Sequence, residues 1–78
     1  MAKETIIIGL KLKEIRTLRS FSLDDVGKLV GKSRKTIHDY EKGKISISVE
    51  TLRQILQIYE IKISAFLTEI ENEINISE

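Results

Sequence analysis

Residues 22–43 constrain the fold of this 78-residue chain more than any other segment, and they read SLDDVGKLVGKSRKTIHDYEKG. Ser22 is a typical N-cap. The two aspartates that follow place carboxylates where a helix has free N–H groups and its positive dipole end. Apolar residues then recur at helical spacing until Gly31, which readily takes the left-handed conformation that ends a helix. The pattern predicts one short helix followed by a tight turn.

A second short helix is predicted after the turn, with Ser33 as its N-cap. Its apolar residues Ile37 and Tyr40 lie three positions apart, so only one face of this helix can be buried. The opposite face carries Arg34, Lys35, His38, Asp39 and Lys42. A short helix whose outer face opens with adjacent cations, and which a glycine turn joins to a partner helix, suits insertion into a DNA major groove.

The formal net charge of +1 conceals an uneven distribution. Residues 69–78 contain four glutamates and no lysine or arginine, whereas residues 1–68 carry 13 cations and eight acids. Five cations and two acids lie within residues 32–44, a local excess that favours a polyanionic partner. The other lysines considered are expected to be solvated surface residues: Lys11, Lys13, Lys28 and Lys62.

Length and composition exclude several classes of protein. A chain of 78 residues makes one domain with a small core, to which oligomerisation would add stability. The chain has no cysteine for disulfides or thiolate metal sites, and no apolar run long enough for a membrane span or a secretion signal. We therefore expect a cytoplasmic protein without a membrane association.

An enzyme is not favoured by the residues available for catalysis. The chain has a single histidine, and Asp24 and Asp25 are adjacent, so on a helix they point about 100° apart. One histidine without cysteine or clustered carboxylates is a poor metal site and a poor member of a catalytic triad. We expect no catalytic residues, no metal and no cofactor.

Hydrophobic periodicity predicts an all-α fold, a compact bundle of five short helices. Residues 1–7 are expected to form a loose arm, and the first helix to run from Ile8 to Arg19. Ser48 is expected to cap a fourth helix that runs to Tyr59, and a last helix is expected to begin near Ile63. The expected core residues of the first and fourth helices are Ile8, Leu12, Ile15, Leu18, Val49, Leu52, Ile55, Leu56 and Tyr59. The last helix carries the apolar residues Phe66, Leu67, Ile70 and Ile74.

The segment from residue 22 to residue 43 resembles the helix-turn-helix of the phage-repressor and Cro class, also called the xenobiotic-response-element family. The resemblance begins near Gly9 with GLKLKEIRTLRSFS, continues through YEKGK and ends around Leu67, so it covers about three-quarters of the chain. Gly27 departs from the family pattern, which usually has alanine where the two helices approach most closely. Leu23 departs as well, at a position where many relatives have a glutamine that contacts a phosphate.

The resemblance implies a division of the chain and a set of DNA contacts. Residues 8–68 would form the DNA-binding domain. The implied base-reading residues are Arg34, Lys35, His38 and Asp39. The implied phosphate-contacting residues are Ser33, Thr36, Lys42 and Lys44. Arginine and lysine donate to guanine O6 and N7, and an aspartate can accept from cytosine N4.

Two of these base-reading residues have a second interpretation. Asp39 lies one turn after Lys35, so the two can form an ion pair along the helix instead of contacting bases. His38 can equally be a surface residue beside the DNA backbone. Both interpretations remain open for each residue.

The resemblance also implies a buried ion pair between Arg16 and Glu41, which would join the first helix to the end of the third. The spacing of 25 residues does not show contact by itself, and two unrelated surface charges remain an alternative. Removing one partner of such a buried pair would leave the other charge uncompensated.

The C-terminal helix is predicted to form a homodimer interface. Ile63, Leu67, Ile70 and Ile74 follow one another at intervals of four, three and four residues, the spacing of a coiled-coil seam. Phe66 lies beside this seam. Residues 69–78 are thus expected to be an acidic dimerisation extension, with Phe66, Leu67, Ile70 and Ile74 in the interface. The alternatives are a frayed acidic tail or an interface at residues 6–8.

These observations favour a repressor that binds double-stranded DNA as a homodimer on a two-fold operator. The alternative is an antitoxin or another protein-interaction module that uses the fold mainly as a scaffold, with a toxin or an antagonist as its protein partner. The cations between Arg34 and Lys44 count against a pure scaffold, because a protein contact would not require them.

Overall fold

Five α-helices make up the computed structural model, which describes residues 3–77. They are α1 (Lys3–Leu18), α2 (Leu23–Val30), α3 (Arg34–Glu41), α4 (Val49–Ile58) and α5 (Ile63–Ser77). Residues 3–77 contain no strand, and the predicted all-α bundle of five helices is confirmed. α1 contacts α3 and α5, while α2 contacts α3 and α4. The α2–α3 pair is therefore supported by a different helix on each side.

α1 begins at Lys3 rather than at the predicted Ile8. The expectation of a loose arm is therefore wrong for residues 3–7, whereas residues 1 and 2 lie outside the described residues. Ile7 and Ile8 pack against the core, and a Cβ placed on Gly43 would stand 3.0 Å from the Cα of Ile6. These tertiary contacts stabilise helical turns that the sequence pattern alone does not indicate.

The core combines residues from all five helices. Its buried members are Leu12, Ile15, Val26, Ile37, Tyr40, Leu52, Ile55, Leu56, Tyr59, Phe66 and Ile70. Most predicted core positions are confirmed, but Leu18 and Val49 are exposed. Leu18 is the last residue of α1 and Val49 is the first of α4, so both lie beyond the packed middle of their helices. Within residues 3–77, the structure has no helix with the length and apolar character that a membrane span requires.

Four helices end with a residue in the left-handed conformation, namely Ser20, Gly31, Gly43 and Glu60, with φ values of 61°, 71°, 71° and 58°. After each of these residues the next amide donates to a carbonyl five residues earlier, as in a Schellman motif. The left-handed conformation predicted for Gly31 and Gly43 is confirmed. These sharp endings allow short helices to pack around so small a core.

Candidate nucleic-acid interface

The N-terminus of α2 is held by a reciprocal capping box. Ser22 Oγ accepts a hydrogen bond from the Asp25 amide at 3.0 Å, and Asp25 Oδ2 accepts one from the Ser22 amide at 2.9 Å. The bond from the Ser22 amide, followed by the interaction with the Ser22 hydroxyl, lowers the pKa of Asp25. The predicted cap is confirmed, and an ionised carboxylate stands at the positive end of the helix.

Two glycines shape the turn between α2 and α3. Gly31 adopts the left-handed conformation, and the Lys32 amide donates to the Gly27 carbonyl at 2.8 Å. A Cβ on Gly27 would stand 2.6 Å from the carbonyl oxygen of Lys32, a distance that real Cβ atoms do not tolerate. This close approach is the steric reason for glycine where the family usually has alanine.

Ser33 caps α3, as predicted. Its Oγ accepts a hydrogen bond from the Thr36 amide at 3.1 Å and lies 2.9 Å from Thr36 Oγ1. Both hydroxyls lie at the start of α3, where phosphate contacts are predicted. Ser33 is exposed and Thr36 is half-buried. Their phosphate role stays a prediction.

α3 has a buried face and a charged face. Ile37, Tyr40 and Glu41 are buried, whereas Arg34 and Lys35 are exposed at its N-terminus. The first turn of α3 contains no acidic residue. Two cations therefore stand at the positive end of the helix dipole, an arrangement that lowers helix stability. The same end of the helix suits the approach of an anion.

Arg16 and Glu41 form the predicted ion pair. Arg16 Nε donates to Glu41 Oε2 at 2.7 Å, and Arg16 Nη2 donates to Glu41 Oε1 at 3.0 Å. Arg16 Nη1 also donates to the carbonyl of Phe21 at 2.9 Å. The hydrogen bond with Glu41 raises the pKa of Arg16, and Glu41 is buried. One guanidinium thus joins α1, the α1–α2 turn and the end of α3.

Lys35 and Asp39 form an ion pair along the exposed side of α3. Lys35 Nζ donates to Asp39 Oδ2 at 2.9 Å, and His38 Nδ1 lies 3.9 Å from Asp39 Oδ1. The bond from Lys35, with smaller contributions from Lys44 and His38, lowers the pKa of Asp39. The alternative of an intrahelical pair is therefore present in this structure. Contacts of these residues with DNA bases remain predictions.

Two further lysines follow α3. Lys42 is its C-cap residue, and the amide of Lys44 donates to the carbonyl of Asp39 at 2.9 Å. Both residues are exposed, and Lys44 is close enough to Asp39 to lower the pKa of that carboxyl. The predicted phosphate-contacting lysines thus adjoin the charged face of α3.

Gly9 was missed by sequence reasoning, although it positions α3. A Cβ on Gly9 would collide with the carbonyl oxygen of Tyr40 and would stand 2.7 Å from that of Glu41. α1 therefore lies against the backbone at the end of α3. The available signal was a glycine within a predicted helix, which costs about 1 kcal/mol relative to alanine unless packing requires it.

Lys11 was predicted to be a solvated surface residue, which is wrong. Its side chain is largely buried, and its Nζ lies 2.9 Å from Glu69 Oε2, 3.7 Å from Glu14 Oε1 and 3.8 Å from Glu73 Oε1. The hydrogen bond with Glu69 raises the pKa of Lys11. Lys11 joins α1 to α5, a contact that no sequence spacing indicated.

The predicted dimer interface needs correction at two positions. Phe66 and Ile70 are only 2% and 4% exposed, so the core of a single subunit already covers them. Ile74 is half-buried against the same core, and Leu67 is 43% exposed. The expectation that Ile70 lies beyond the covered part of the last helix failed, because α1 packs along α5 and Ile70 is part of the core of one subunit.

Comparison with known proteins assigns the chain to a family. A sequence profile of the helix-turn-helix family matches residues 12–66. An HTH-type transcriptional regulatory protein of Saccharolobus solfataricus is 40% identical over 48 residues, which are 62% of this chain and 16% of that protein. The HTH-type transcriptional regulator PuuR of Escherichia coli is 31% identical over 71 residues, which are 91% of this chain and 38% of that protein. The chain spans less than half the length of either relative.

A solved structure shares the fold. The crystal structure of the clp gene regulator ClgR from Corynebacterium glutamicum matches 97% of this chain and 81% of that chain, with a TM-score of 0.88. The sequence identity is 16%, so this likeness concerns the arrangement of helices alone.

Proposed function

Because the chain belongs to the helix-turn-helix family of DNA-binding transcriptional regulators, we propose that it is a repressor that binds a two-fold operator as a homodimer. In this proposal α3 enters the major groove with its N-terminal turn foremost. The observation that carries the proposal is the pair of exposed cations, Arg34 and Lys35, at the end of α3 where cations lower helix stability. A polyanionic ligand gives this arrangement a function.

Base recognition is assigned to the exposed side of α3. Arg34 can donate two parallel hydrogen bonds to guanine O6 and N7, and Lys35 can donate to the same atoms. Asp39 can accept from cytosine N4, and His38 is half-exposed beside it. Each good base contact contributes about 1–3 kcal/mol of discrimination.

Affinity without sequence preference is assigned to the residues around that face. Lys42 and Lys44 would neutralise phosphates after α3, while Ser33 and Thr36 would donate to phosphates at its start. Each neutralised phosphate contributes about −0.9 to the slope of log K against log salt concentration.

The proposed homodimer would present two short α3 helices to the operator instead of one. Two subunits related by a two-fold axis would place their α3 helices one DNA turn apart, about 34 Å. The remaining exposed part of the predicted seam supports an interface on α5, because Leu67 is exposed and Ile63 and Ile74 are only partly covered. Sedimentation at micromolar concentration tests this interface with Leu67→Asp. A variant that stays folded and dimeric would place the interface elsewhere.

The decisive experiment selects bound sequences from a random pool of duplexes. We expect two similar half-sites in inverted order, with centres one helical turn apart. Lys42→Ala and Lys44→Ala should weaken binding to all duplexes alike, while Arg34→Ala and Lys35→Ala should relax the selected sequence. Recovery of no preferred sequence would overturn the proposal, and a reporter gene behind the selected site distinguishes repression from activation.

A further inference from the structure

Asp39 is an unusual residue for a surface that binds a polyanion. Residues 32–44 contain two acids, and the other one, Glu41, is buried against Arg16. Asp39 instead lies on the charged side of α3, with its carboxylate at Lys35 and close to Lys44. A carboxylate in this position repels the phosphates that the neighbouring cations attract.

Helix stability does not account for the Lys35–Asp39 pair. Lys35 lies near the positive end of the α3 dipole and Asp39 lies nearer the negative end, so both charges oppose the dipole. A lysine that precedes its acid by four residues is also the weaker of the two possible orders. A helix selected only for stability would have the reverse arrangement.

The two side chains of the pair differ in their exposure to solvent. The Lys35 side chain is 83% exposed, whereas that of Asp39 is 14% exposed. The ammonium is thus accessible to a ligand while it bonds to the carboxylate. If Lys35 moves to a ligand, the carboxylate loses the charge that compensates it.

We infer that Asp39 is a specificity-determining residue that positions Lys35. The Lys35 ammonium leaves Asp39 and bonds to DNA only where a base edge donates a hydrogen bond to the Asp39 carboxylate. The inference rests on the proposed function. At a matching site, guanine O6 or N7 accepts from Lys35 and a cytosine N4 donates to Asp39. At an unrelated site Lys35 keeps its bond with Asp39, because a move to a phosphate would leave the carboxylate near the negative backbone without a donor. Asp39 therefore weakens unrelated binding more than specific binding.

The test compares wild type and Asp39→Asn on two duplexes of equal length, the selected site and an unrelated sequence. Asp39→Asn should tighten unrelated binding roughly threefold at low salt and make its salt slope steeper by about 0.9, as one additional lysine meets phosphate. Affinity for the selected site should stay constant or fall, so the ratio between the two affinities decreases. Asp39→Ser, which also lacks the carboxylate, should give the same result.

Glu71→Gln is the matched control, because it removes one negative charge from the exposed surface of α5. It should leave both the affinity ratio and the salt slope unchanged. If Glu71→Gln and Asp39→Asn shift both duplexes equally, the effect is one of net charge and the inference is wrong.

A double-mutant cycle with Lys35→Ala tests whether Asp39 acts through Lys35. In the Lys35→Ala background, Asp39→Asn should no longer steepen the salt slope of unrelated binding. An equal change in both backgrounds would overturn the positioning role. If the wild-type protein has no sequence preference, the proposed function itself is wrong. If the wild type is selective and Asp39→Asn has the same ratio of affinities for the two duplexes, only this inference is wrong.

Discussion

α2 and α3 are matched helices with opposite charge order. Each has eight residues and a serine N-cap whose hydroxyl accepts from the third following amide. α2 has Asp24 and Asp25 in its first turn and Lys28 in its last turn, whereas α3 begins with Arg34 and Lys35. α2 therefore complements the helix dipole, and the N-terminus of α3 opposes it. Two helices of one motif are thus stabilised in different ways.

The difference shows where the stability of α3 originates. α2 has a complete capping box at its N-terminus. α3 has a serine cap without the reciprocal bond, and it also contacts α1 through the Arg16–Glu41 pair and the close approach of Gly9 to its last carbonyls. Because tertiary contacts hold α3, its exposed residues can serve a ligand without serving the helix. We regard this separation as the structural basis of the proposed DNA-binding face.

The largest effect is expected from breaking the buried ion pair between Arg16 and Glu41, which holds α3 against α1. Arg16→Met leaves the buried Glu41 carboxylate without its partner, which should lower the free energy of unfolding by roughly 3–5 kcal/mol. The double variant Arg16→Met with Glu41→Met should cost less than the sum of the two single changes, because it leaves no uncompensated charge. Urea unfolding of the four proteins measures the cycle.

Lys11→Met is the control for the Arg16–Glu41 pair, because it removes the ion pairs between α1 and α5. Its acidic partners Glu69 and Glu73 are more than half exposed, so we expect a loss below about 1 kcal/mol. Equal losses for Arg16→Met and Lys11→Met would show that α3 does not depend specifically on its buried ion pair.

A smaller but more diagnostic effect is expected when α3 receives the charge order of α2. Arg34→Glu with Lys35→Glu should reduce affinity for the selected site by about 100-fold or more, since each base contact contributes about 1–3 kcal/mol. The melting temperature should hold or rise, because acids near a helix N-terminus add about 0.3–1 kcal/mol each. Fluorescence anisotropy and thermal unfolding measure the two effects on one protein. A variant that loses both affinity and stability would contradict the proposed separation.

The sequence predicted the local features of α2 and α3, such as their caps, better than the contacts between helices. The caps at Ser22 and Ser33 and the left-handed glycine at position 31 follow rules that involve only a few neighbouring residues, and all are confirmed. The ion pair between Arg16 and Glu41 was predicted only from the family resemblance, because no spacing rule links residues 25 positions apart.

The errors concern surfaces that other helices cover. Residues 3–7 were predicted to be an arm, but they belong to α1 and contact Gly43 and the core. Ile70 was predicted to be an interface residue, but α1 packs along α5 and the core covers Ile70. The same packing explains why Lys11 is largely buried. A periodic pattern shows which face of a helix is apolar, but it does not show whether this subunit or another one covers that face.

An effect of about 1 kcal/mol is expected from removing a cap, and it should be unequal between the two helices. Ser22→Ala removes the acceptor of the Asp25 amide and weakens the reciprocal bond, so its cost should lie near the upper part of the 0.5–2 kcal/mol range. Ser33→Ala removes one backbone hydrogen bond, so its cost should lie near the lower part of that range. Urea unfolding compares the two variants, and a larger loss for Ser33→Ala would contradict the view that α2 is the locally stabilised helix.

The last and smallest expected effect is a dependence of stability on pH that comes from the capping box. The hydrogen bond from the Ser22 amide lowers the pKa of Asp25 in the folded protein below its ordinary value, which is about 3.8. The folded state therefore favours the ionised carboxylate. Its contribution to the free energy of unfolding is complete when the pH is above the ordinary pKa, and it is lost as the pH falls through the lowered pKa of the folded state. Asp25→Asn should thus be less stable than wild type at pH 7, and the difference should shrink as the pH falls below 4. Asp24→Asn, outside the box, is the control, and urea unfolding between pH 2 and pH 7 follows all three proteins. A constant difference between Asp25→Asn and wild type over this range would show that the carboxylate charge does not contribute to the cap.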